Sequence, residues 1–198
     1  MPYAATMNLK RSFAPVGSTD ACLLILGSLP GEASLAAGRY YAHPRNQFWT
    51  LLGGAIVEPL PSLDYDLRVA RLVARKIALW DVVGEAERRG SLDGAIRRAR
   101  ANPLAEFVAA HPGLAAIAFN GHAAARIGRL ALAGIDRPAL IDLPSSSPAY
   151  TLALPDKTAR WNQLGIRLAG LAPAAQPPHK GDDERDHRSR PGRYRIRR

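Results

Sequence analysis

The stretch Gly27–Trp49, GSLPGEASLAAGRYYAHPRNQFW, gathers residue types that a reaction centre needs. Gly27 and Gly31 flank a sharp turn carrying Ser28, where missing side chains let backbone approach a ligand closely. His43, Arg45 and Asn46 then place three polar side chains ahead of an apolar helix start, with Phe48 and Trp49 as flat surfaces beside them. A tight turn, a polar loop and a core aromatic pair account for the same residues without a ligand, and a Gly-rich loop alone is weak evidence. Asn46 equally fits a helix N-cap before QFWTLL. Three positions farther on have a similar character. Asp81 ends the run ALWD, Asn120 sits in FNG, and Ser145, Ser146 and Ser147 crowd into LPSSSPAY with Pro148 and Tyr150. Serine hydroxyls and loop N–H groups suit phosphate oxygens. The structural alternatives are a turn cap or an Arg pair for Asp81, a turn-forming Asn before Gly121, and an ordinary loop for the serines.

Each of these positions follows an apolar run. Ala21–Gly27, Lys76–Trp80 leading into Asp81, and Leu114–Phe119 leading into Asn120 are continuous and apolar, as buried parallel strands are, and Ala139–Leu143 is a weaker fourth. Helical patterns lie between them. Asp64 is placed to cap a helix reaching Ala74, and Asn102 followed by Pro103 to cap LAEFVAA. Trp161, Leu164, Leu168 and Leu171 form an amphipathic stripe with Asp156 as its cap. Alternating strands and helices predict an α/β domain over residues 15–172: three layers, α/β/α, around a central, mainly parallel four-stranded sheet. Ligands of such sheets sit beyond the carboxyl ends of the strands. Ser28–Gly31, Asp81–Gly84, Asn120–His122 and Pro144–Tyr150 should therefore converge on one cleft. Residues 1–14 are expected to form an N-terminal arm. Residues 173–198, nearly devoid of large apolar side chains, are expected to be a disordered basic tail.

The 198 residues, 47% of them hydrophobic, suit one domain with a sizeable core. No apolar stretch is long enough for a membrane helix, and no secretory signal is expected. Cys22 is the single cysteine, which excludes an internal disulfide, a cysteine-based zinc site and a four-cysteine cluster. His111 and His122 lack companions for a metal site, so no metal and no cofactor are expected. The serines lack a G-x-S-x-G elbow, and GSLPG lacks the Lys-Ser/Thr of a phosphate-binding P-loop. Net charge is +10; residues 173–198 hold eight cations and four acids, so the remainder carries 10 − 4 = +6. That balance favours a polyanion partner, although an Arg-rich proteome produces basic proteins without one.

In order and spacing, GSLPG, HPRNQFW, LWDVV, FNG and SSSPA resemble the uracil-DNA glycosylase superfamily, and within it the hypoxanthine-DNA (deoxyinosine) glycosylase branch, over about residues 20–165. The resemblance implies roles. Where the superfamily usually places a water-orienting Asp or Asn in the first motif, this chain has Leu29, and the branch implies that Asn46 orients the water instead. An amide positions water without acting as a strong base, which suffices for an oxocarbenium-like transition state. Phe48 corresponds to the aromatic that stacks on the flipped base, Tyr40 and Tyr41 to pocket walls, and Gly27 and Ser28 to the turn beside the base. Asp81 stands where uracil-reading relatives place Asn. A carboxylate there accepts the N1–H of hypoxanthine and meets a lone pair on adenine. Asn120 becomes a second active-site amide, donating to the departing base. Ser145 replaces a His found in other branches, and Ser145–Ser147, Pro148 and Tyr150 grip the DNA backbone. His43 contacts phosphate or simply lies on a surface loop.

The implied protein is a monofunctional glycosylase that extrudes a deaminated base from double-stranded DNA and hydrolyses its N-glycosidic bond. A monomer is expected, cytoplasmic and nucleoid-associated if bacterial. Two alternatives stay open: a mismatch-specific uracil or xanthine glycosylase, and a non-catalytic DNA-binding module, which Leu29 keeps alive.

Overall fold

The computed structural model describes residues 9–17 and 20–171. In chain order the elements are β1 (Leu9–Arg11), β2 (Leu23–Gly27), α1 (Glu32–Ala37), α2 (Phe48–Ile56), α3 (Tyr65–Ala74), β3 (Ile77–Asp81), β4 (Val83–Glu87), β5 (Arg97–Ala101), α4 (Leu104–Ala110), β6 (Ala116–Asn120), α5 (His122–Ala131), β7 (Ala139–Leu143) and α6 (Leu154–Leu171). Most of the expected arm, the tail 173–198 and the Leu171 side chain lie outside the described part of the chain.

The four apolar runs form one sheet in the order β3-β2-β6-β7, with every neighbouring pair parallel. Alternation across the strands sorts their side chains between two cores. Leu23, Ile25, Ile77, Leu79 and Ala118 face α2 and α6, where Phe48, Leu52 and Trp161 bury completely. Leu24, Leu26, Trp80, Ile117 and Phe119 face the other way, toward Leu104 of α4 and Ala124 of α5. Three layers result, as the sequence predicts. No helix among the described residues is long and apolar enough to cross a membrane.

Helices α2 and α6 approach so closely that a Cβ on Gly165 would collide with the Ala55 carbonyl oxygen. Backbone cannot yield as a flexible side chain can, so the clash outweighs the roughly 1 kcal/mol of helix propensity gained from alanine. Gly165→Ala is expected to lower unfolding stability by about 1–3 kcal/mol, read as a fall in the urea midpoint at unchanged slope.

The sequence leaves one sheet unforeseen. Strands β1, β4 and β5 pair antiparallel in the order β1-β4-β5. Their pattern is charged rather than apolar: Arg100 bonds Glu85 at 3.0 Å, Arg98 bonds Glu87 at 3.0 Å, and Arg11 lies 3.4 Å from Glu85. Residues 82–84 accordingly leave the cleft and run into β4, with Val82 and Val83 fully buried. Leu9–Arg11, placed in an arm by the sequence, is a paired strand instead.

Among the caps, Asp64 accepts from Leu67 N at 2.9 Å at the start of α3, as predicted. Asn102 does not cap α4; its Nδ2 donates to the Asp81 carbonyl at 2.8 Å, bracing the end of β3. Asp156 lies in the first turn of α6, which begins at Leu154, and is not its cap.

Candidate active site

The parallel strands end at Gly27, Asp81, Asn120 and Leu143, and beyond those ends opens a cleft of about 670 Å³. Gly27, Ser28, Tyr41, His43, Asn46, Asp81 and Asn120 line it, together with Ser145, Ser146, Ser147, Pro148 and Tyr150. Of the residues to which the resemblance gives a role in the site, Phe48 alone stays out of it.

Asp81 forms the floor. Its side chain is 3% exposed, and one carboxyl oxygen accepts from the Ser12 hydroxyl at 2.9 Å. Burial pushes its pKa up to about 7, against the opposing pull of that hydroxyl. A Cβ on Gly27 would sit 2.5 Å from the other carboxyl oxygen and 3.1 Å from the Tyr41 hydroxyl. The absent side chain of Gly27 is what leaves this carboxyl oxygen accessible.

Phe48 corrects one expectation. It is fully buried, and the half-buried Tyr41 covers it face to face, ring centroids 3.6 Å apart and 9° from parallel. A planar ligand in the cleft therefore meets Tyr41, not Phe48. Tyr41 holds this position with a left-handed backbone, φ +55°, a conformation that costs a non-glycine residue roughly 1–3 kcal/mol and clusters at functional sites. Burial raises its hydroxyl pKa, so it stays a proton donor at neutral pH.

Asn120 is 9% exposed and both N–H donors of its amide are engaged. Nδ2 donates to Ser146 Oγ at 2.9 Å and to the Tyr41 hydroxyl at 3.2 Å, while Oδ1 accepts from Ser146 N at 2.8 Å. It is neither a lone turn residue nor a donor free to meet a ligand; it ties the serine loop to Tyr41. Having accepted from Asn120, the Tyr41 hydroxyl keeps its own proton for the cleft.

Asn46 lies one residue before Gln47, the N-cap of α2. Its Oδ1 accepts from Phe48 N at 2.9 Å at the start of α2, and the residue still lines the cleft. An amide oxygen has a second lone pair, which a water can use. Gln47 joins this helix start to the serine loop through its N–H to Ser146 O at 3.0 Å. Lys157 of α6, 1% exposed, donates to Gln47 Oε1 and Tyr150 O, both at 2.9 Å.

The sequence gives no hint of the segment that frames the cleft opposite the serine loop. Arg88, 2% exposed, aims its guanidinium at the carbonyl oxygens of Leu29, Pro30 and Gly90, locking the first turn to the end of β4. Lys10 reaches Glu32 and the Gly90 carbonyl. Ser91 Oγ accepts from Glu32 N at 2.9 Å, and Ser28 donates to Asp93. Arg88, Ser91 and Asp93 lie about 60 residues from the turn they hold, and Lys10 lies 22 from Glu32, so no local pattern marks them. Among the described residues no cluster of side chains suits a metal ion.

Residues 14–165 match the model of the uracil DNA glycosylase superfamily. The chain belongs to that superfamily. A protein from Methanosarcina acetivorans named hypoxanthine DNA glycosylase is 35% identical over 156 residues, covering 79% of this chain and 98% of the relative. Another of that name from Methanosarcina barkeri is 41% identical over 112 residues, covering 57% of this chain and 71% of the relative. The solution NMR structure of a proposed uracil DNA glycosylase from Methanosarcina acetivorans aligns with a TM-score of 0.73 at 34% identity, over 82% of this chain and 99% of the other. In this member of the superfamily Leu29 is 5% exposed and packs into the core with Leu24, Leu26 and Trp80. The first motif thus contributes its shape and its backbone here, and no water-holding side chain at that position.

Proposed function

We propose that the protein is a monofunctional DNA glycosylase that removes hypoxanthine from deoxyinosine in DNA. The buried carboxyl of Asp81 on the cleft floor, unobstructed at Gly27, carries this reading, and the curated relatives named hypoxanthine DNA glycosylase support it. The ionised carboxyl accepts the N1–H of hypoxanthine; adenine offers a lone pair at that atom and is refused. The purine lies against Tyr41. As the C1′–N9 bond breaks, its electron pair moves onto the base, and the Tyr41 hydroxyl supplies a donor for the growing charge. A water held by Asn46 Oδ1 bonds to C1′ of the oxocarbenium-like sugar and loses its proton to solvent or to the departing base. Hydroxyls and N–H groups of Ser145–Ser147 take the flanking phosphates, with His43 beside them. The enzyme acts as a monomer in the cytoplasm, on double-stranded DNA.

The test is a labelled duplex with one deoxyinosine, incubated with protein and then treated with alkali to cut abasic sites. Strand scission is expected. A ring N–H is also present in uracil, so duplexes with uracil and xanthine belong in the same panel. Faster scission of either would reassign the preferred base, and scission of none would leave a DNA-binding module.

A further inference from the structure

As the C1′–N9 bond of a bound nucleotide breaks, positive charge grows over C1′ and O4′ of the sugar. Asn46 holds the water and Tyr41 faces the base, so neither meets that charge. A carboxylate beside the sugar would, and it lowers the barrier because it attracts the cationic transition state more than the neutral ground state. Four acids line the cleft: Glu32, Asp81, Asp93 and Asp142. Lys10 pairs with Glu32, and Arg129 with Asp142 at 3.0 Å, so both of those charges are matched. Asp81 lies on the floor, 3% exposed, where the base is read. Asp93 is bonded to a hydroxyl instead, with Ser28 Oγ donating to its Oδ1 at 2.5 Å.

Ser28 belongs to the first turn, whose next side chain, Leu29, packs into the core. Asp93 thus brings a carboxylate to that turn from 65 residues away. Its loop is fixed on both sides. Arg88 grips the Leu29 and Pro30 carbonyls, Ser91 accepts from Glu32 N, and the Asp93 carbonyl accepts from Ile96 N at 3.1 Å. A charge held in place beforehand needs no reorganisation at the moment of reaction. Burial is the main cause of the raised pKa values of Asp81 and Tyr41, and the charge of Asp93 adds to both, so it stands close over the floor. Asp93 is itself exposed. It therefore lies between floor and mouth, at the level of the sugar when the base rests on Asp81.

We propose that Asp93 is a catalytic residue whose carboxylate stabilises the cationic sugar in the transition state. This rests on the glycosylase reading above. D93N keeps an oxygen for the Ser28 hydroxyl and removes only the charge. Because Asp93 is exposed and its field is screened, single-turnover excision of deoxyinosine is expected to slow about tenfold. Duplex affinity should hold or rise, since an anion has left a DNA-facing cleft, and the variant should melt at the wild-type temperature. A binding measurement tests the charge directly, comparing a duplex that carries a cationic pyrrolidine in place of the sugar with one that carries neutral tetrahydrofuran. Wild type is expected to bind the pyrrolidine duplex about tenfold more tightly, and D93N to lose most of that preference. An unchanged rate in D93N, a preference kept intact, or a wild type that binds the two duplexes equally overturns the assignment. So does a D93N rate that recovers fully at another pH, which would leave Asp93 acting through Asp81 alone. No excision by wild type from deoxyinosine, uracil or xanthine duplexes overturns the glycosylase reading itself, and this role with it.

Discussion

Replacing Asn46 by alanine is expected to lower the single-turnover rate of base excision by about 10²-fold or more, while the fold survives. On the proposed mechanism the residue has two jobs, and their magnitudes differ enough to separate them. At the start of α2 its Oδ1 meets Phe48 N at 2.9 Å, and loss of such a helix-start bond costs roughly 1 kcal/mol. In a domain of this size that shifts the melting temperature by a few degrees and leaves the protein folded at 25 °C. As a water holder it sets the attack on C1′, and displacing that water removes most of the rate. Asn46→Asp keeps both the oxygen that meets Phe48 N and an acceptor for water, so it should retain far more activity than alanine. Asn46→Ser keeps a cap but withdraws the oxygen from the cleft, and should be as slow as alanine while melting near wild type. If serine matched wild type in rate, capping would be the whole of the role.

The second large effect belongs to Asp81. Its pKa stands at about 7 in the fold against an ordinary 3.8, because burial disfavours the charge. A raised carboxyl pKa means that the native state holds a proton which the unfolded chain has already lost. The stability this group contributes is therefore complete below pH 3.8 and is lost as pH rises toward 7. Fully ionised, the buried carboxylate costs the native state up to about 4 kcal/mol. Asp81→Asn should thus melt higher than wild type at pH 8, with the advantage shrinking toward pH 5. Activity runs the other way. Reading N1–H needs the ionised form, so kcat/KM on deoxyinosine should climb through pH 7 in the wild type. In Asp81→Asn the climb disappears, because an amide turned with Nδ2 toward Ser12 presents a carbonyl at every pH. A climb that persisted in the variant would place the titrating group elsewhere.

What the sequence made legible follows from the physics of each element. Five-residue apolar runs such as Leu23–Gly27 are buried on both faces and announce themselves, and the ends of those runs locate the cleft. The β1-β4-β5 sheet is held by ion pairs between Glu and Arg side chains that read, in sequence, as a solvated charged loop. Phe48 and Tyr41 were not distinguishable by type, since either aromatic suits a stack; the left-handed turn at Tyr41 decides which faces the cleft. Asn120 illustrates a subtler limit. Its position was legible, but whether its amide was free depended on Ser146 and Tyr41, 26 and 79 residues away. Ser12, 69 residues from Asp81, has no signature at all beyond being a serine.

That last contact bears on how base preference can change. The carboxyl proposed to read the base is oriented by a residue just past the first strand, given room by a glycine at the end of the second, and braced through its own carbonyl by Asn102. Selectivity is thus a property of four separated points on the chain rather than of a portable cassette. Transplanting LWDVV into a uracil-reading scaffold should move the aspartate without its preference. A natural drift between bases would have to pass through compensating changes at Ser12 and Gly27, which makes the preference slow to evolve and the four positions, taken together, the natural unit to redesign.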